Sequence, residues 1–381
     1  MAIKRYLHYF QTKNDFNNDR GRNYKEPWTS FTVETRDVNY NKTEEEKLLS
    51  MPFTIEMLES GTVSWNLHGL TVKYSKNGGP WTAMNSGTTI QVSQGDEVAF
   101  KGENSRYSYY DEEEGDYLPM NLMSSARFNA KGNIMSLTDG DDFVQATAVT
   151  EYAFFRFFND PTGENIVPIV SAERLKLPAV GLSPYCYFGM FMVCEYLETA
   201  PKLPAMIMAT SCYDSMFQEC SSLTTPPELP STTLAYGCYS SMFLYCDSLI
   251  RTPEFPATSL AEYCYAVMFR GCTNLRFAAE LPATSLTQYC YSNMFRGCTS
   301  LEESPVLPAT NLERGCYGDM FSGCSNLKRI EAMFLTTPSN TYTSSWVSGV
   351  SSTGTFVKNS SAQWNVTGNN GVPTGWTIET K

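Results

Sequence analysis

Histidine is nearly absent from this chain of 381 residues, His8 and His68 being the two copies. Without an imidazole near a Ser or Cys there is no evident general base for a nucleophile, and neither an HExxH motif nor a phosphate-binding glycine loop occurs. Cysteine is missing before residue 186. No run of eighteen apolar residues exists, so no segment is predicted to cross a membrane as a helix. A basic stripe is missing too. The chain carries 28 Lys and Arg against 40 Asp and Glu, a net charge of −12, and an acidic surface argues against nucleic acid, whose affinity comes from neutralised phosphates. The imbalance is concentrated in residues 51–170, with seven basic against sixteen acidic side chains. Met1–Lys13 has Lys4 and Arg5 but too short an apolar stretch for a signal peptide, so export by that route is not expected.

What the chain does have is a ruler. Cys186, Cys212, Cys238, Cys264, Cys290 and Cys316 are each followed eight residues later by a second cysteine, Cys194 to Cys324, at a period of 26 without insertion. The same register carries Tyr at 187 to 317, Met at 190 to 320, Phe one residue later, Leu at 197 to 327 and Pro at 178 to 308. A unit this short cannot bury its own apolar face, so the units must stack as a solenoid.

In the copy Phe255–Leu275, Leu260, Cys264, Met268 and Cys272 form an apolar stripe read as a short helix. Ser259 with Glu262, and Ser285 with Gln288, read as capping boxes, and Gly271, Gly297 and Gly323 as C-terminal glycines. The residues from Leu275 to Pro282 are extended. Two cysteines eight apart on a helix lie roughly 12 Å from each other, beyond disulfide reach, and the spacing is not one used by zinc. They are expected to be buried thiols, and the Tyr and Met-Phe columns core.

The units CYAVMFRGCTNL (264 to 275), CYSNMFRGCTSL (290 to 301) and CYGDMFSGCSNL (316 to 327), separated by LPATSL or LPATNL, resemble the BspA-type leucine-rich repeats of bacterial surface proteins. Related repeats occur in appendage proteins of tailed phages that infect gut anaerobes. The resemblance covers about residues 171 to 335, and the closing segments 344 to 358 and 371 to 379 look like the tail that often follows such repeats. It implies a leucine-rich-repeat (α/β) fold and a scaffold whose exposed positions set the function.

The fold class expected is multidomain: an N-terminal antiparallel β-sandwich, then a leucine-rich-repeat solenoid of six 26-residue units with a small C-terminal β cap. Residues 1–50 read as an anchoring arm, with Tyr6, Tyr9, Phe10, Tyr24 and Trp28 as candidate anchoring residues because such rings are costly to leave in water. Residues 51–150 alternate short β-rich segments with turn signals at Ser60-Gly61, Asn77-Gly78-Gly79, Gln94-Gly95-Asp96 and Lys131-Gly132-Asn133. Residues 151–176, with AFFRFF at 153 to 158, read as an adaptor to the solenoid at 177–335, and 336–381 as the cap.

The positions left free by the period, between the Tyr and the Met, are the candidate ligand-facing residues: Asp214, Ser215, Ser240, Ser241, Ser292, Asn293 and Asp319, with Arg270 and Arg296 after the Phe. They suggest a shallow hydrogen-bonding surface. No catalytic, cofactor-binding or metal residue is assigned. Asp111–Glu114 with Asp116, and Asp139, Asp141 and Asp142, read as solvated hairpin tips, the last three compatible with a calcium ion. The reading is a non-enzymatic attachment protein, with no cofactor and no membrane insertion: a fibre or appendage of a virion, homo-oligomeric, contacting other virion or surface proteins through the arm and a host-surface glycan or protein through the solenoid. A bacterial cell-surface adhesin is the alternative, and a carbohydrate-active enzyme the distant third.

Overall fold

The computed structural model describes residues 42–381 apart from 86, 114–115 and 160–165. The candidate anchors Tyr6, Tyr9, Phe10, Tyr24 and Trp28 lie outside the described residues. Thr43–Lys381 forms one compact unit. It opens with the helix α1 (Glu44–Leu49), where Thr43 and Glu46 complete a capping box. Leu48 is buried, and Glu44 and Glu45 pair with Arg174 at 2.9 Å and Lys176 at 2.6 Å.

The next hundred residues form strands with short turns. They are β1 (Thr54–Met57), β2 (Gly61–Trp65), β3 (Val72–Lys76), β4 (Thr82–Met84), β5 (Thr89–Val92), β6 (Glu97–Gly102), β7 (Ser108–Asp111), β8 (Asp116–Pro119), β9 (Leu122–Ser124) and β10 (Phe128–Asn133). One sheet runs β10-β1-β6-β3-β4 and a second β5-β2-β9, both antiparallel, with β7-β8 a hairpin. Trp65 of β2 meets Phe100 of β6 with ring centroids 5.3 Å apart, which joins the two sheets through a shared aromatic core. Three of the four turn signals fall between strands. Lys131-Gly132-Asn133 does not: it lies inside β10, where a Cβ on Gly132 would sit 2.2 Å from the Pro52 carbonyl oxygen at a φ of +80°. Glycine inside a strand can mark a close backbone approach as well as a turn.

The 26-residue units stack in parallel. Their extended segments pair one above another, by single bridges at Ser171–Thr199, Thr199–Thr225 and Arg251–Phe277. Towards the C-terminus the same row becomes the parallel sheet β12 (Glu303–Leu307), β13 (Arg329–Ala332), β14 (Thr355–Lys358) and β15 (Thr377–Thr380). The strand β11 (Ile169–Lys176) runs parallel to β10 on one side and bridges to Thr199 on the other. It therefore belongs to both the antiparallel sheet and the stack.

The cysteine-bearing segments are not helices, which corrects the α/β expectation for the repeats. In the fourth unit the N–H groups of Tyr263, Tyr265, Val267, Phe269 and Gly271 donate to Gln288, Cys290, Ser292, Met294 and Arg296 of the next unit at 2.8–3.2 Å. The intervening Cys264, Ala266, Arg270 and Cys272 close turns onto the residue three back. Tyr263, Val267 and Gly271, four apart, have φ of 58°, 62° and 75°. We call this run of linked turns a turn strip. The reason lies in the period: the apolar stripe repeats every four residues, and an α-helix would rotate such a stripe by about 40° per step, whereas a four-residue turn holds it on one face. The residues read as helix-stopping glycines sit inside the strip, at its left-handed positions. A helix would also keep every N–H to itself; the strip gives alternate ones to its neighbour.

All twelve cysteines are free and buried. Stacked rings fill the core beside them, the Phe191-to-Phe321 column at spacings of 5.4–5.8 Å. The second cysteine of each unit donates its S–H to the phenylalanine carbonyl of the unit before, as from Cys272 to Phe243 at 3.0 Å. The strip pattern extends past the six units at both ends. Phe154 stacks on Tyr187 at 5.7 Å and Phe158 on Phe191 at 5.0 Å, while Trp346 follows Phe321 at 6.1 Å and accepts its N–H bond.

Candidate functional site

The turn strips lie side by side, so each outward position becomes a column across the stack. One column reads Asp214, Ser240, Ala266, Ser292, Gly318; the next reads Ser215, Ser241, Val267, Asn293, Asp319, all with φ between 52° and 62°. Arg270 and Arg296 occupy a third. Eight of the nine candidate ligand-facing residues, Asp214, Ser240, Ser241, Arg270, Ser292, Asn293, Arg296 and Asp319, are half-buried on this face. Ser215 departs from its expected outward placement: it is buried, and its hydroxyl donates to Asp214 at 2.9 Å. Burial drives the Asp214 carboxyl up to about 6, against the lowering effect of the Ser215 and Ser211 hydroxyls.

Four of the candidates meet. Arg296 approaches Asp319 at 3.5 Å and donates to Asn293 at 3.3 Å, Asn293 donates to Ser292 at 2.9 Å, and Ser292 donates to the Gly318 carbonyl at 3.3 Å. Beside them is a depression of about 460 Å³ lined by Tyr289, Ser292, Arg314, Gly315, Gly318, Asp319 and, from the strip after the last unit, Asn340, Thr341 and Ser344. Its cause is local. In the sixth unit the first of these columns falls to glycine at Gly318, and so does the position one before the first cysteine, at Gly315, where the fifth unit has Tyr289. Gly315 is also required where it stands, because at φ +63° a Cβ would lie 2.2 Å from the Tyr289 ring.

Sequence reasoning missed Tyr289 and its neighbours. Tyr236, Tyr263 and Tyr289 form a partly exposed row, at 5.3 and 4.8 Å, with the Arg314 guanidinium 5.8 Å from the Tyr289 ring centre. The signal was available one place before the first cysteine, where the units read Tyr185, Ser211, Gly237, Tyr263, Tyr289, Gly315. Asn340, Thr341 and Ser344 fall beyond the last unit, where the period says nothing.

A larger groove of about 580 Å³ lies against the extended segments, but Pro201, Pro204, Pro226, Pro227 and Pro230 make much of its wall, and proline brings no donor. The buried thiols offer no nucleophile: desolvation raises all twelve, Cys212, Cys238, Cys290, Cys316 and Cys324 to about 12. His68 stacks on Tyr109 at 3.8 Å. Asp141 of the acidic turn pairs with Lys101 at 2.6 Å, and among the described residues no group of three or more His, Cys, Asp or Glu is placed to hold a metal ion.

No family model and no curated protein matches the chain. Among solved structures it is similar to a leucine-rich repeat protein from Bacteroides ovatus, at 18% identity over 68% of this chain and 79% of that one, with a TM-score of 0.29. The repeats are defined by their own hydrogen bonds and ring stacks.

Proposed function

We propose that the chain is a non-enzymatic attachment protein: a β-sandwich carrying a leucine-rich-repeat-type solenoid of six units, whose turn face meets a host-surface glycan or protein. The setting we propose is a homo-oligomeric fibre or appendage of a phage particle, with the arm expected at residues 1–50, less α1 and the rest of the compact unit that begins at Thr43, contacting other virion proteins. The observation that carries the reading is the turn face. Its backbone is tied unit to unit by alternate N–H bonds, while the outward side chains change from unit to unit, through Asp214, Ser240, Ala266, Ser292 and Gly318. A rigid frame with variable polar positions is a recognition surface. The likeness of the units to BspA-type repeats supports a role at a cell or particle surface.

The labelled full-length chain should bind host cells saturably and be displaced by unlabelled chain. Deleting residues 1–41 should block incorporation into the parent particle and leave cell binding intact. A chain that binds no host cell, together with normal assembly of the deletion, would show a passive spacer instead.

A further inference from the structure

We infer that the depression at the sixth unit is a saccharide subsite that holds one pyranose ring of a surface glycan; this rests on the attachment reading and names its ligand class. The volume of about 460 Å³ falls within the range of small-molecule sites, about 300 to 1,000 Å³.

The lining selects the chemistry. Asp319 supplies a carboxylate acceptor, held in place by Arg296 at 3.5 Å and by its own N–H bond to the Ser344 carbonyl at 2.8 Å. Arg314 is exposed and supplies donors only. Asn340 accepts from Asn370 at 2.6 Å, which leaves donor capacity in its own amide. Ser292 donates to the Gly318 carbonyl and accepts from Asn293, which leaves its oxygen one further lone pair for a ligand. Tyr289, braced by Tyr263 at 4.8 Å, is the aromatic wall. Acceptors and donors thus line the same hollow. A sugar hydroxyl both donates and accepts, so neighbouring hydroxyls satisfy a carboxylate and a guanidinium or amide together, and the C–H face of the ring suits the aromatic wall.

Other ligand classes fit less well. A phosphate would meet the Asp319 carboxylate with Arg314 as the one cation of the lining, and a large apolar peptide side chain would find the Tyr289 ring as its one large apolar partner there. The depression is also unlike the rest of the face. The fifth unit has Tyr289 and Ser292 where the sixth has Gly315 and Gly318.

Two substitutions test this in chains that retain the fold. Gly318→Leu fills the hollow: Gly318 lies outside the left-handed region and a Cβ there meets the Gly315 carbonyl at 3.4 Å and the Ser292 hydroxyl at 3.7 Å, and the same column accepts Ala266. Asp319→Asn removes the charge and puts at this left-handed position the residue that the fifth unit already carries there, Asn293. Thr258→Leu, at an exposed position outside the turn strips, is the control. The full chain is screened by saturation-transfer NMR against methyl pyranosides of neutral, N-acetylated and uronic sugars, and against purified host-surface polysaccharide. The expected result is binding that falls at least tenfold in Gly318→Leu and Asp319→Asn and is unchanged in Thr258→Leu. Undiminished binding in Gly318→Leu, or no saccharide bound by the parent chain, overturns the subsite. Cell binding that survives periodate treatment of the host surface but is lost on protease treatment also overturns it, while leaving attachment in place; loss of all cell binding removes both.

Discussion

Asp214 stands in the outward column of the second unit, yet its carboxyl sits low among neighbouring strips, and desolvation raises it to about 6. An acid whose folded value lies above its unfolded one binds more protons in the folded state, so its contribution favours folding at low pH and is lost as pH rises towards and past 6. At about 1.4 kcal/mol per unit, the ionised form costs about 2–3 kcal/mol. Asp214→Asn should therefore be more stable than the parent at pH 7.5 by that amount, and the gap should narrow at pH 4.5, as read from urea midpoints. A gap of equal size at both pH values would mean that the carboxyl is solvated. Taking the difference matters, because carboxylates such as Asp96, lowered to about 2 chiefly by hydrogen bonds from Asn77 and Lys76, respond in the opposite sense. The inward side of the columns was legible residue by residue: Cys, Tyr, Met, Phe and Leu recur at fixed places and are buried there. The outward side was legible as a face but not in depth, since Ser215 and Ser241 occupy the same column and only the first is buried.

The turn strip is where local sequence and neighbours compete. Leu260, Cys264, Met268 and Cys272 read equally as one helix face or as a four-residue turn, because over twelve residues the two differ by about one-third of a rotation. The choice is made by the adjacent unit, which offers carbonyls to every second N–H. Left-handed φ at every fourth residue then becomes tolerable even for Val267 and Tyr263, although bulky side chains resist it. The strip also places each phenylalanine of the column between two other aromatic rings. Phe269 lies 5.4 Å from Phe243 and 5.8 Å from Phe295, with Phe255 edge-on at 6.3 Å. Phe269→Ala should accordingly cost about 3–5 kcal/mol, whereas Ser248→Ala, half-buried with no hydrogen bond from its hydroxyl among those described, should stay within about 0.5 kcal/mol. Chemical denaturation of both variants checks this, and equal costs would refute the inward placement of the column.

At the scale of the molecule, one strand joins the antiparallel sheets to the stack. β11 pairs with β10 and bridges to Thr199, and Phe154 and Phe158 cover the rings of the first unit. A fragment beginning at about residue 171, where the repeat resemblance starts, would break β11 and bare Tyr187 and Phe191. It should melt well below a chain that begins at residue 43, or aggregate, while the longer chain melts in a single transition by calorimetry. A fragment from 171 that matched the longer chain in melting temperature would show that the first unit caps itself.

The sequence by itself determined the period, the number of complete units and the identity of the buried columns, because these depend on residue type and spacing alone. Three of the four turns between the early strands belong to the same class, set by local backbone preference. Only the tertiary structure decided that the units are turn strips, since their hydrogen bonds go to residues about twenty-five positions away. It also decided that AFFRFF and Trp346 continue the ring columns, because stacking needs a ring at the right height and not at the right interval. The depression at Gly315 and Gly318 is of the same kind: a loss of two side chains becomes a hollow only when Tyr289 on one side and Asn340 on the other stand up around it.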